Sequence, residues 1–150
     1  MLAVVAALVV EVPLRAHHSL ANHETTKAVR VRGTVVQVHA INPHSFIYVE
    51  EKGGDGQIRR WAVEGPSVRI LAARGLDKVV KTGDVIEFCG YSPKEPLMWQ
   101  VTDPDRRAVS LAGRVITAEV IVLPDGRMQE WEDYGFHHCF APGYRDRHSK

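Results

Sequence analysis

One run of two-residue alternation changes phase part-way, and this constrains the chain more than any other feature. Val29, Val31, Gly33 and Val35 alternate with Arg30, Arg32 and Thr34, after which Val36, Val38 and Ala40 carry the apolar face forward on even numbers. Period two marks a half-buried strand, and a one-residue slip beside a glycine is what a bulge or coil in one long strand produces. Such a strand can belong to two sheets at once. That is how a small sheet curls onto itself and closes.

The segments that follow fit such a closure. Asn42-Pro43 signals a turn, and Ser45 to Glu51 reads as a second strand with Phe46 and Tyr48 on one face and Ile47 and Val49 on the other. Gly53-Gly54-Asp55-Gly56 forms a hairpin loop into a third strand, Gln57 to Glu64. Gly65-Pro66 then switches the period: Val68, Leu71 and Ala72 share one face of a short helix that Gly75 closes. A fourth strand runs from Asp84 to Tyr91, with Ile86 and Phe88 facing one way and Val85, Glu87 and Cys89 the other. Ser92 to Asp105 carries three prolines and is expected to be irregular. Arg114 to Leu123 is a long fifth strand whose even positions, Ile116, Ala118, Val120 and Val122, are expected in the core. Pro124-Asp125-Gly126 turns it into a short return strand ending near Trp131. The fold class is therefore all-β with one short helix, in the order of the five-stranded partly open barrel called the OB-fold, over residues 29–132, with other small barrels as the alternative. A length of 150 residues suits one such domain.

Before the barrel, Leu2 to Val10 is apolar without interruption, Glu11 and Pro13 break the run, and Ala16 is small. Nine apolar residues are too few to span a bilayer core, which needs about twenty, but they match the apolar region of a secretory leader. Residues 1–16 are thus expected to be a signal peptide, with residues 17–28 an extended N-terminal arm, no integral membrane span, and a periplasmic or secreted location. The leader lacks the usual Lys or Arg ahead of its apolar run. That points to a true start upstream of Met1. The alternative is a buried N-terminal strand or helix.

Three strings in fixed order then carry a resemblance: "AHHSL" at the leader junction, "INPHSFIYVE" entering the second strand, and "RRWAVEGPS" ending the third, followed by "LAARG" and "KTGDVIEFCGY". They resemble a family of small exported bacterial proteins of unknown function that pair an Ala-His-His-Ser junction with Asn-Pro-His and Trp-Ala-Val-Glu-Gly segments. The resemblance covers Ala16 to Tyr91 and resumes at "VIVLPDGR". It implies export and a small barrel, and supplies no reaction. An extension from Met128 to Lys150, containing "EWEDYGFHHCFAPGY", departs from the pattern.

Cleavage after Ala16 would make His17 the first residue of the mature chain. A terminal histidine offers its α-amine and its ring nitrogen to one ion, and His18 adds a second imidazole; such nitrogen-rich sets suit Cu(II), and also Ni or Zn. His44 is the natural third ligand, because the loop between the first two strands of an OB barrel lies at a ligand-binding edge. The expected metal ligands are thus His17, His18 and His44, with copper as the ion. The competing reading makes His17 and His18 a solvated arm and His44 a turn residue. The barrel would then bind a small ligand or a periplasmic partner protein through its aromatic tail, residues 133–150.

His137-His138-Cys139 forms a second cluster among Tyr134, Phe136 and Phe140, yet neighbouring residues seldom face one ion together. Cys139 either pairs with Cys89, whose parity with Glu87 leaves it on a face a tail could cover, or stands as a thiol. Trp61 and Glu64 fall on opposite faces of the third strand, Trp61 as a core or covering aromatic and Glu64 near the dipole of the following helix. No Ser-His-Asp pattern, phosphate loop or dinucleotide fingerprint is present, which favours a binding role over an enzymatic one. Arg30, Arg32, Arg59 and Arg60 near Phe46 and Tyr48 could form a basic aromatic groove. A net charge of +1 and export argue against it, so no nucleic acid is expected as a partner.

Overall fold

The computed structural model describes residues 22–94, 100–102, 108–110, 114–131 and 139. Strand β1 (Val29–His39) is the over-long strand, followed by β2 (Ser45–Lys52), β3 (Ile58–Gly65), helix α1 (Val68–Ala73), β4 (Val85–Tyr91), β5 (Gln100–Thr102), β6 (Ala108–Ser110), β7 (Val115–Val122) and β8 (Met128–Glu130). The main sheet runs β3-β2-β1-β4-β7-β8, and a parallel pairing of β3 with β7 closes β1, β2, β3, β7 and β4 into a barrel. This is the OB arrangement expected from the strand order.

Strand β1 earns its length. Its first half pairs with β4, from Val29 opposite Gly90 to Thr34 opposite Val85, and its second half pairs with β2, from Thr34 opposite Glu50 to His39 opposite Phe46. The register shifts between Val35 and Gln37, where the phase slip was expected. Val31 and Val35 point inward, and after the bulge Val38 does. Val36 instead packs outside, against Phe46 and Tyr48, so the inward face does not run through every even position. At Gly33 a Cβ would stand 2.4 Å from the carbonyl oxygen of Glu50, so a side chain there would push β1 and β2 apart.

The interior is apolar throughout. Ile47 and Val49 from β2, Val63 from β3, Ile86 and Phe88 from β4, and Ile116 and Ile121 from β7 form its centre. Helix α1 covers the barrel end with Leu71, and its open amides are capped by Ser67, whose Oγ accepts from Ile70 N at 3.4 Å. The helix starts after Ser67, two residues later than Pro66 suggested; Pro66 turns its carbonyl to Ser45, accepting from its N at 3.1 Å and its Oγ at 2.7 Å. Trp131 plugs the same end. It lies over Gly65, where a Cβ would meet its indole nitrogen at 2.0 Å.

Two expectations are corrected. The stretch from Ser92 to Asp105 is not wholly irregular, because Gln100–Thr102 pairs antiparallel with Ala108–Ser110. In β7 the inward set is not all even. The register with β4 slips at Glu119, so Ile116 and Ala118 face the interior before the slip, Ile121 after it, and Val120 and Val122 join Cys89 and Cys139 in a separate apolar cluster.

Candidate functional site

Strand alternation sends every second side chain to the outside of the barrel, and here much of the outside of the β3, β7 and β4 wall is buried as well. The register sets Phe46 beside Glu64, Glu64 beside Thr117, and Thr117 beside Tyr91, one transverse row across four strands. Phe46 is 8% exposed, Thr117 4% and Tyr91 0%. On one side of this row lie Tyr48, Ala62 and Val115; on the other lies the Cys89, Val120, Val122 and Cys139 cluster. A polar row is thus set between two apolar patches.

Its polar members bond in sequence. His44, immediately before β2, meets Glu64 through Nδ1 at 3.1 Å from Oε1. Thr117 Oγ1 donates to Glu64 Oε2 at 3.2 Å, and His23 Nε2 lies 2.9 Å from the same hydroxyl. Tyr91 donates its hydroxyl to Glu119 Oε2 at 3.3 Å. The proton directions follow from the donor inventory. An ionised carboxylate only accepts, so His44 donates through Nδ1–H and Thr117 spends its single hydroxyl proton on Glu64; His23 must then donate through Nε2–H to the threonine oxygen. Neutral His44 consequently carries its lone pair on Nε2. That is the tautomer a carboxylate partner imposes on a metal-ligating or proton-accepting histidine.

The N-terminal arm is tied to this wall. His23 forms an antiparallel bridge with Pro93, Glu24 N donates to Ser92 O at 2.9 Å, and Lys94 N donates to Asn22 O at 2.8 Å. Residue 139 is tied to it as well, because Cys89 and Cys139 form a disulfide with Cα atoms 5.7 Å apart. Of the alternatives open for the two cysteines, pairing holds. Both halves of the bond are 0% exposed.

Among the residues singled out from sequence, His44 sits in this row, while His17, His18, His137 and His138 lie outside the described residues. Among the described residues, no three His, Cys, Asp or Glu side chains group as a metal site. Glu64 belongs to the row rather than to the helix start, since its two oxygens take His44 and Thr117 while Ser67 caps α1. Trp61 leans on the interior and donates Nε1–H to Glu51 Oε2 at 2.9 Å. Sequence reasoning missed His23, Thr117, Tyr91 and Glu119. One local signal was available: Thr117 and Glu119 are polar residues in a strand whose eight positions are all buried.

The profile of a family of unknown function (DUF6152) matches residues 5–97. The chain belongs to this family. No curated protein matches it in sequence. Among solved structures it is similar to a mitochondrial single-stranded DNA-binding protein from S. cerevisiae, Rim1, at 7% identity and a TM-score of 0.42, over 71% of this chain and 97% of that one. It is also similar to a small single-stranded DNA-binding protein from Streptomyces coelicolor, at 14% identity and a TM-score of 0.40, over 65% of this chain and 91% of that one. At these identities the likeness is one of fold. The expectation that nucleic acid is excluded as a partner does not stand. That exclusion leaned on net charge, a whole-chain sum that does not describe a local surface such as the exposed Arg30 and Arg32. Among the described residues no helix is long and apolar enough to cross a membrane.

Proposed function

We propose that this family member is an exported metal-binding protein that holds copper through His44 and the mature N-terminus, His17 and His18. The observation that carries the reading is the Nδ1 contact of His44 with Glu64, 3.1 Å in a mostly buried setting. A carboxylate behind an imidazole fixes its tautomer, orients its ring and raises its basicity as a ligand. The anchored arm supports the rest. His18 is four residues from Asn22 and His17 five, so from the bridge at residues 92–94 the terminus reaches at most about 18 Å when extended. Export is supported by the Cys89–Cys139 disulfide, a bond that persists in oxidising compartments. In this reading residues 1–16 are removed and His17 contributes its amine.

Copper binding then depends on pH in a defined direction. A free α-amine titrates near pH 8, and the ion must displace its proton, so affinity falls as pH drops. The test is protein recovered from the periplasm, weighed by intact mass and titrated with Cu(II) beside His44→Ala. The expected result is a chain beginning at His17 that loses at least about tenfold in copper affinity when His44 is replaced. A chain that retains residues 1–16, or a variant that binds copper like the parent, contradicts the proposal.

A further inference from the structure

We propose that the α1 end of the barrel is a binding pit for a small neutral molecule with an apolar body and one hydrogen-bond acceptor, its acceptor seated on the indole N–H of Trp131. The pit is built from the interior cluster rather than from the outer row of His44 and Glu64, and it stands or falls independently of the copper reading.

Val38, Ile47, Leu71, Leu76, Val80 and Trp131 supply most of its wall, all of them in or against the interior cluster. Its inner space is about 20 Å³, and the space counted out to solvent comes to about 350 Å³. The inner figure admits one water-sized group, so a ligand places a single acceptor atom inside and lays its apolar body along the mouth. Trp131 is 2% exposed, and its Nε1–H has no hydrogen-bond partner among the described residues. Buried indole N–H groups normally find an acceptor, so an unmatched one in the wall of a pit favours a ligand that brings an oxygen. Gly65 makes room for that nitrogen: a Cβ there would stand 2.0 Å from Nε1. The other polar side chains of the wall set the ligand's charge. Ser45 spends its one proton on Pro66 O at 2.7 Å, and the exposed Asp77, an acceptor only when ionised, repels an anion at the mouth. Among these lining residues Trp131 thus holds the one side-chain proton left to give. A ketone, ester or ether fits this wall, and a carboxylate does not.

The experiment titrates the full chain with methyl propyl ketone and, separately, with butyrate, following the indole N–H resonances of Trp61, Trp99 and Trp131 by ¹H–¹⁵N NMR. The Trp131 resonance, identified by its loss in Trp131→Phe, is expected to shift saturably with the ketone and to stay put with butyrate. Trp61, whose N–H is held by Glu51, is expected to stay put with both. Trp131→Phe keeps an aromatic plug and loses the donor; ketone affinity, read there from the leucine and valine methyl signals of the wall, is expected to fall about five- to tenfold, the worth of one hydrogen bond. Ala40→Phe changes an exposed residue of the lining and closes the mouth without entering the core. It is expected to abolish ketone binding, and it covers the case in which Trp131→Phe does not fold. A Trp131 resonance that the ketone leaves unmoved, or that reports only a bound water the ketone does not displace, overturns the proposal. So does ketone binding at parental affinity in Trp131→Phe or Ala40→Phe, and so does butyrate binding as tightly as the ketone. None of these results bears on copper binding at His44.

Discussion

The inside of the barrel and much of the outside of its β3, β7 and β4 wall are buried, yet they follow opposite chemistry. Inside, Val35, Val49, Val63, Phe88, Ile116 and Ile121 meet at 0 to 1% exposure and carry no side-chain polar group. Outside, Glu64, Thr117, Tyr91, Glu119 and His44 bond among themselves and to His23. Burying apolar surface stabilises by about 25 cal/mol per Å², whereas a buried carboxylate must recover its desolvation through partners before it contributes anything. An apolar row would pack the outer wall at less risk. The two faces thus differ in how burial is met, by apolar packing inside and by mutual hydrogen bonds outside.

Breaking each region in turn sharpens that contrast. The largest expected effect comes from untying the outer wall, because Cys89 and Cys139 are separated by 50 residues and closing a loop of that size stabilises by about 4 kcal/mol in the chain-entropy account. Replacing both by serine should lower the urea midpoint accordingly; a loss below about 1 kcal/mol would show that the bond adds little to the outer wall. Next comes a pair of neighbours on β7 that face opposite ways. Ile116→Ala should cost about 3 kcal/mol through the cavity it leaves. Thr117→Val should cost only about 1–2 kcal/mol, for the unmet polar groups around it. Equal losses at the two positions would erase the distinction between the walls.

The smallest effect is a titration. Tyr48 sits in the outer apolar patch at 4% exposure, and burial pushes its phenol up to about 12. Its folded value therefore lies above the ordinary value of 10.0, so the folded chain keeps the proton longer than the unfolded one. The stability this group contributes is complete below about pH 10 and declines as pH rises through about 12. Ultraviolet titration of the parent against Tyr48→Phe reads this group alone. Ionisation near pH 10 would mean that the outer patch is wet, unlike the interior.

The interior was largely legible in the chain because strand period is a local property. The slip in β1 could be placed to within a residue, since Arg30 and Arg32 mark one parity before it and Val38 the other after it. The slip in β7 was hidden. Val115 to Val122 is buried at every position, so alternation there carries no sign of which face a residue takes. The polar row was hidden for a different reason. Glu64 meets His44 only through the β2–β3 register, and Thr117 only through a parallel pairing of strands some 50 residues apart. No local window contains both. The place of His44 in the loop between the first two strands marks it in the sequence, whereas Glu64, next to Gly65-Pro66, reads there as a partner of the helix dipole rather than of His44.

Long-range ¹H–¹⁵N NMR of the protein reads the proton arrangement of that row directly. His44 should show a protonated Nδ1 and a bare Nε2, with the opposite pattern at His23, whose Nε2 carries the proton. A His44 ring protonated at Nε2 alone would mean that Glu64 does not hold it, and the outer wall would be no more than a second surface for packing.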